Sequence, residues 1–200
     1  MKARALRKAR DRLRAAESAF EQMRATEIGA PDFDHAWYAF LVSQNSFYSA
    51  LEQGAKNGPS KGWFDKKKNE RKQDLLLNYL HQARNAEEHS LGSSIGRTRN
   101  AVFTDKTETV EIDEVTGRPH FNFTVGEEAS ARFKFSYEIL LPVSNYGVTF
   151  APPTESLYAM KAADLCIQRL REVLREAEER IDGPDESTAR PFTVNPKDDG

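Results

Sequence analysis

The chain has a single cysteine, Cys166, among 200 residues. That excludes an internal disulfide and a thiolate metal cluster, and makes a reducing compartment, the cytoplasm, the natural expectation. Long apolar runs are also missing. No segment approaches the ~18 consecutive apolar residues of a membrane-spanning helix. The basic start MKARALRKARDRLRAAE has no apolar stretch after it, so it does not read as a secretory signal. Net charge of either sign is nearly absent, with 29 Lys and Arg against 31 Asp and Glu. The balance hides a gradient. Residues 1–14 hold seven Lys or Arg against Asp11 alone, whereas residues 181–200 hold five acids against Arg190 and Lys197. The total is silent about nucleic acid; only local basic segments bear on it.

What remains, 38 % hydrophobic and 30 % charged, is the composition of a soluble, helix-rich chain. Leu6, Ala9, Leu13, Ala16, Phe20 and Met23 recur at spacings of three and four, which predicts a helix over 2–27 stopped by Gly29 and Pro31. Asp32 or Asp34 caps a second helix, and Trp37, Tyr38, Phe40, Phe47 and Tyr48 mark it as the most buried. After a loop at Gly54, Gly58, Pro59 and Gly62, residues 63–90 read as a third helix, basic first and apolar-faced later. TETVEID, HFNFTV, ARFKFSYEILLPV and YGVTF then alternate with period two, giving an antiparallel β-insert of two to four strands within 101–151. Two prolines and Thr154 open a last helix over 155–181, with Met160, Ala163, Ile167, Leu170, Leu174 and Ala177 on one stripe. Gly183-Pro184 ends it, and 184–200 reads as a polar, mobile tail. The expected fold is mainly α: one domain over 1–183, a bundle of four long helices with the small β-insert between the third and fourth.

On a helical wheel of the third helix, Leu75, Leu76, Tyr79, Leu80, Ala83 and Ala86 share the core face. His81, Arg84, Asn85, Glu88 and His89 occupy the opposite arc. Leu77 stands among them as an apolar exception that suits contact between two copies. Asn85 and His89 are i,i+4 neighbours, and the long Arg84 side chain reaches toward them. The trio suits phosphodiester chemistry: Arg forks onto phosphate oxygens, His exchanges protons near neutral pH, and Asn orients either. Metal binding fits poorly, since His81 and His89 lie eight residues apart, roughly 12 Å along a helix. No cofactor motif is present. The plain alternative is a solvated face with an Arg84–Glu88 ion pair.

Around the trio, His81, Glu88, Arg97 and Arg99 are candidate substrate contacts. The run from Lys66 to Lys72 either steers a polyanion or is a solvated helix face. Phe121, Phe123, Phe133, Phe135 and Tyr137 alternate, as a base-stacking platform or, more commonly, a core face. Cys166 reads as a buried, inert helical residue.

The stretch Arg84-Asn85-Ala86-Glu87-Glu88-His89, in the helical context YLHQARNAEEHS, resembles the Arg-polar-x-x-x-His signature of the HEPN superfamily. The resemblance implies an all-α bundle acting on RNA. Many members are metal-independent endoribonucleases of toxin–antitoxin and antiviral defence systems. It implies a homodimer whose two copies meet in a composite cleft, where RNA is cut by its own 2′-hydroxyl. Arg84 would then hold the transition-state phosphate, His89 would handle the proton, and Asn85 would assist. The implied partners are RNA, a second copy, and an antitoxin or defence-system protein. Two other readings of the same residues are a non-catalytic RNA- or nucleotide-binding module and a protein scaffold.

Overall fold

The computed structural model describes residues 1–26, 30–89, 93–103, 111–112, 119–120 and 131–180. The predicted tail, the side chain of Arg99 and the alternating aromatics of 121–137 lie outside the described residues. The first stripe forms α1 (Ala3–Ala25), which packs Leu6, Ala9, Leu13, Ala16, Ala19 and Met23 along α2 (Pro31–Ala55). As its aromatic content predicts, α2 is the central element. It buries Phe33, Trp37, Phe40, Phe47 and Tyr48 and touches every other helix. Tyr38 is the aromatic it leaves outside.

The crossing of α1 and α2 is close. A Cβ built on Gly54 would lie 2.4 Å from Ala5 Cβ and 2.7 Å from Met1 Sδ. Gly54→Ala should therefore cost about 1–3 kcal/mol of overpacking, more than the ~1 kcal/mol gained in helix propensity. Urea denaturation should show a lower midpoint at unchanged slope. An unchanged midpoint would mean that the two helices part without cost.

The predicted third helix is not continuous. It divides at Asp74 (φ −73, ψ 114) into α3 (Lys61–Gln73) and α4 (Leu75–His89). Asp74 Oδ1 accepts the Leu77 N–H at 2.9 Å and Arg169 Nη1 at 2.5 Å. One carboxylate thus caps α4 and ties the break to the last helix. The break also corrects two expectations. Leu77, expected on the polar arc as a contact between copies, is buried at 5 % exposure, while Leu75, expected in the core, is 73 % exposed. The reason is that α4 is covered on more than one side, by α2, by the last helix and by a β-hairpin, so its apolar arc widens to include Leu77. Leu75, the first residue of α4, projects beyond that cover.

The β-rich segment begins at Ile95, earlier than the expected 101. Strand β1 (Ile95–Phe103) pairs antiparallel with β4 (Ala131–Leu140), with a register irregularity between Thr98 and Arg99. The polar sequence IGRTRN has no alternation; its pairing with β4, rather than its pattern, makes it a strand. Two further ladders join β2 (Glu111–Ile112) to β3 (Pro119–His120) and β5 (Val143–Asn145) to β6 (Val148–Phe150).

The last helix, α5 (Ala159–Glu178), starts four residues later than expected. A 3-10 turn, Thr154–Ser156, precedes it. Leu157 O then accepts the Leu140 N–H at 2.7 Å, and Tyr158 bridges Ile139. These bonds hold 157–158 extended along β4 and delay the helix. The described residues are mainly helical, with five α-helices and small antiparallel strand pairs. Among the described residues, no helix is long and apolar enough to cross a membrane.

Candidate functional site

The C-terminal half of α4 is fixed by buried polar contacts at its edges. Glu87 Oε1 accepts the backbone N–H and the hydroxyl of Ser94, each at 2.7 Å, and Trp37 Nε1 donates to the same hydroxyl at 2.8 Å. Tyr79 donates its hydroxyl to Leu141 O at 2.6 Å, and burial pushes its pKa up, which keeps that proton in place. Asn145 Nδ2 donates to Gln82 Oε1 at 2.7 Å, locking the β5–β6 hairpin beside the helix. The hairpin turns on Tyr146 (φ 48) and Gly147 (φ 77), two left-handed residues in a two-residue loop.

Between α4 and this hairpin runs a groove of about 190 Å³, lined by Asn85, Ala86, His89, Ser144, Asn145 and Tyr146. His89, in the last turn of α4, is exposed to it, and Tyr146 stands at its rim with 95 % exposure. Arg84 is not part of the lining. Its guanidinium pairs with Glu88, one turn on, each side chain being about a quarter exposed. Nη1 donates to Asn85 Oδ1 at 3.3 Å, and the buried Nε has no hydrogen-bond partner among the described residues. Within one chain, then, Asn85 links the guanidinium to the groove that holds the imidazole. Arg84 and His89 themselves face different ways.

The other sequence candidates separate. Arg97, on the surface, grips Asp34 at 2.9 and 3.0 Å and approaches the buried Glu138 at 3.5 Å, so its charge is already paired within the chain. Glu88 contributes by neutralising Arg84. His81 lies outside the His89 groove: it faces α2 and α3, where Arg71 Nη2 reaches both His81 Nδ1 (3.2 Å) and Asn45 Oδ1 (2.9 Å). Nδ1 also lies 3.0 Å from Asn45 Oδ1, which can only accept, so the ring tautomer decides whether Nδ1 donates to Asn45 or accepts from Arg71. Burial, then Arg71 and Arg84, lowers its pKa from 6.5 to about 4.

That depression has a sign. Between pH 6.5 and 4 the unfolded chain takes up a proton at His81 that the folded chain refuses, so stability is full above about 6.5 and declines toward 4. After discounting for solvent screening the loss is about 1–2 kcal/mol. His81→Gln should flatten the thermal midpoint over that window, and a slope identical to the parent's would contradict the assignment.

In the basic run, Lys67 pairs with Glu70 and Glu176, and Lys68 with Glu52. Cys166 is buried and burial pushes its thiol up to about 12, as an inert residue requires. Sequence reasoning missed Tyr146, Asn145 and Ser144. Their one signal is the Tyr-Gly pair between alternating stretches, which marks a hairpin tip. Comparison of the chain with protein-family models, with curated proteins and with solved structures returned no match.

Proposed function

We propose that the protein acts on RNA, as a metal-independent endoribonuclease of HEPN type whose site is completed when two copies pair. The observation that carries this reading is the groove on α4: Asn85 and His89 line it, Tyr146 rims it, and Asn85 also binds Arg84. An exposed aromatic beside an imidazole is equipment for a base and its neighbouring phosphate. In the reaction the RNA 2′-hydroxyl attacks the adjacent phosphorus and the bond to the 5′-oxygen breaks. The products are a 2′,3′-cyclic phosphate and a free 5′-hydroxyl. His89 exchanges the proton. Arg84, released from Glu88 by a phosphate that competes for it, stabilises the pentacoordinate anion through its Nη hydrogens. The divergence of Arg84 and His89 within one chain is the reason for a second copy: each chain supplies what the other's groove lacks.

A second reading, an RNA-binding module without turnover, is favoured by the Arg84–Glu88 pair, which leaves no net charge at that turn. Incubation of labelled single-stranded RNA with the protein in EDTA separates the two. The first predicts cleavage with cyclic phosphate ends, the second retention of intact RNA. In both, Tyr146→Ala should weaken RNA binding by about 5- to 100-fold, the ~1–3 kcal/mol of one base stack. Unaltered affinity would remove the hairpin from the RNA path.

A further inference from the structure

A second cavity, of about 310 Å³, lies where α2, α3 and the start of α4 meet, and shares no lining residue with the His89 groove. Its wall includes Lys68, Arg71 and Lys72 from α3, Glu52 from α2, and Asn78 and His81 from α4. Three cations face one carboxylate, a surplus of two positive charges, with the partly buried His81 holding no proton charge near neutral pH.

Arg71 is the unusual member. Its guanidinium lies 4.2 Å above the Tyr48 ring and is largely withdrawn from water. Among the described residues it has no carboxylate within ion-pair distance. Its Nε is buried without a hydrogen-bond partner, although Nη2 is used by Asn45 and His81. A mostly buried cation lacking a counter-charge is costly unless something supplies one. Lys72, exposed on the same wall, likewise has no ion-pair partner among the described residues. The polar amides of Asn45 and Asn78 and the hydroxyl of Ser49 add neutral hydrogen-bonding groups suited to an organic body rather than a bare ion.

We infer that this cavity binds a small phosphomonoester of up to mononucleotide size, its dianionic phosphate seated between Arg71 and Lys72. The surplus of two positive charges matches the charge of that group, and the volume is at the lower end for small-molecule sites. Phosphate oxygens meet the Arg71 guanidinium at its Nη edge and the Lys72 ammonium, while Asn45, Asn78 and Ser49 meet the remainder. The inference stands apart from the RNA site, since neither Arg84 nor His89 lines the cavity.

Calorimetric titration of the full chain with adenosine 5′-monophosphate, adenosine and inorganic phosphate tests it. The expected result is saturable binding of the monophosphate, weaker binding of phosphate alone, and none of adenosine. Lys72→Gln, a surface change that leaves the fold intact, should weaken the monophosphate by about tenfold, and Arg71→Gln by more. If Arg71→Gln fails to fold, Lys72→Gln still decides. Tyr146→Ala, at the rim of the α4 groove and outside this cavity, should bind the monophosphate at the parent's affinity, which distinguishes the two sites. Absence of heat from the monophosphate and phosphate at millimolar concentration would overturn the inference. So would equal affinity in Lys72→Gln, or binding seen only with a 5′-phosphorylated oligonucleotide.

Discussion

Arg84→Ala and His89→Ala should each lower RNA cleavage by about 10²- to 10⁴-fold, the usual loss when a proton-transfer or charge-stabilising group is removed. Neither residue belongs to the apolar core, which on α4 is built from Leu76, Leu77, Tyr79, Leu80, Ala83 and Ala86. Circular dichroism and thermal midpoints of both variants should therefore stay close to the parent's. Glu88 supplies the sign test. It holds Arg84 in a partly buried i,i+4 pair on the surface of one helix, outside the apolar core, so Glu88→Gln should cost about 1 kcal/mol at most and leave the fold intact. Because it frees the guanidinium for phosphate, Glu88→Gln should also raise cleavage or tighten RNA binding several-fold. A Glu88→Gln protein with reduced activity would give the carboxylate a direct role in the chemistry and require a different mechanism.

The largest expected effect on stability is at Asp74→Ala. Loss of the α4 cap costs about 0.5–2 kcal/mol, and loss of the charge-assisted bond to Arg169 about 1.5–3 kcal/mol more. Both partners are partly buried, with side-chain exposures of 31 % for Arg169 and 25 % for Asp74, which reduces the screening that weakens surface pairs. A total of about 2–5 kcal/mol is expected, read as a lower urea midpoint. Asp74→Asn should recover the capping part and lose the ionic part. The functional consequence follows from geometry, since Asp74 sets the angle at which α4 leaves α3. Asp74→Ala should lower RNA activity even at temperatures where the protein remains folded. A change below about 0.5 kcal/mol would show that the break at Asp74 is set by its surroundings and not by the cap.

The helices were legible because burial writes itself into spacing. The stripes of α1 and α5 are read almost residue for residue, with Ala19 taking a core place expected of Phe20 and Phe20 only packing against its edge. The break at Asp74 was not legible, because Asp between two helix-favouring runs also reads as an exposed residue of one long helix. Only the Leu77 N–H and Arg169, 95 positions away, make it a cap. For the same reason Leu75 and Leu77 exchanged places: an arc on a wheel assumes one buried side, and α4 is covered on several.

Strand β1 escaped notice because its polar residues carry no alternation, and the ladder to β4 is a property of two segments rather than of one. At the site, Asn85 and His89 were paired correctly by helical spacing. The hairpin residues that complete their groove arrive from some 60 positions downstream. Arg71 and His81 flank the helix break, so no single periodicity relates them.

The chemistry at the RNA end tests the central claim most directly. Single-stranded RNA incubated with the protein in excess EDTA should give fragments ending in 2′,3′-cyclic phosphate and beginning with 5′-hydroxyl, and His89→Ala protein prepared in parallel should give fewer by about a hundredfold or more. Fragments with 3′-hydroxyl ends, cleavage that needs an added divalent ion, or equal cutting by the His89→Ala protein would contradict the account.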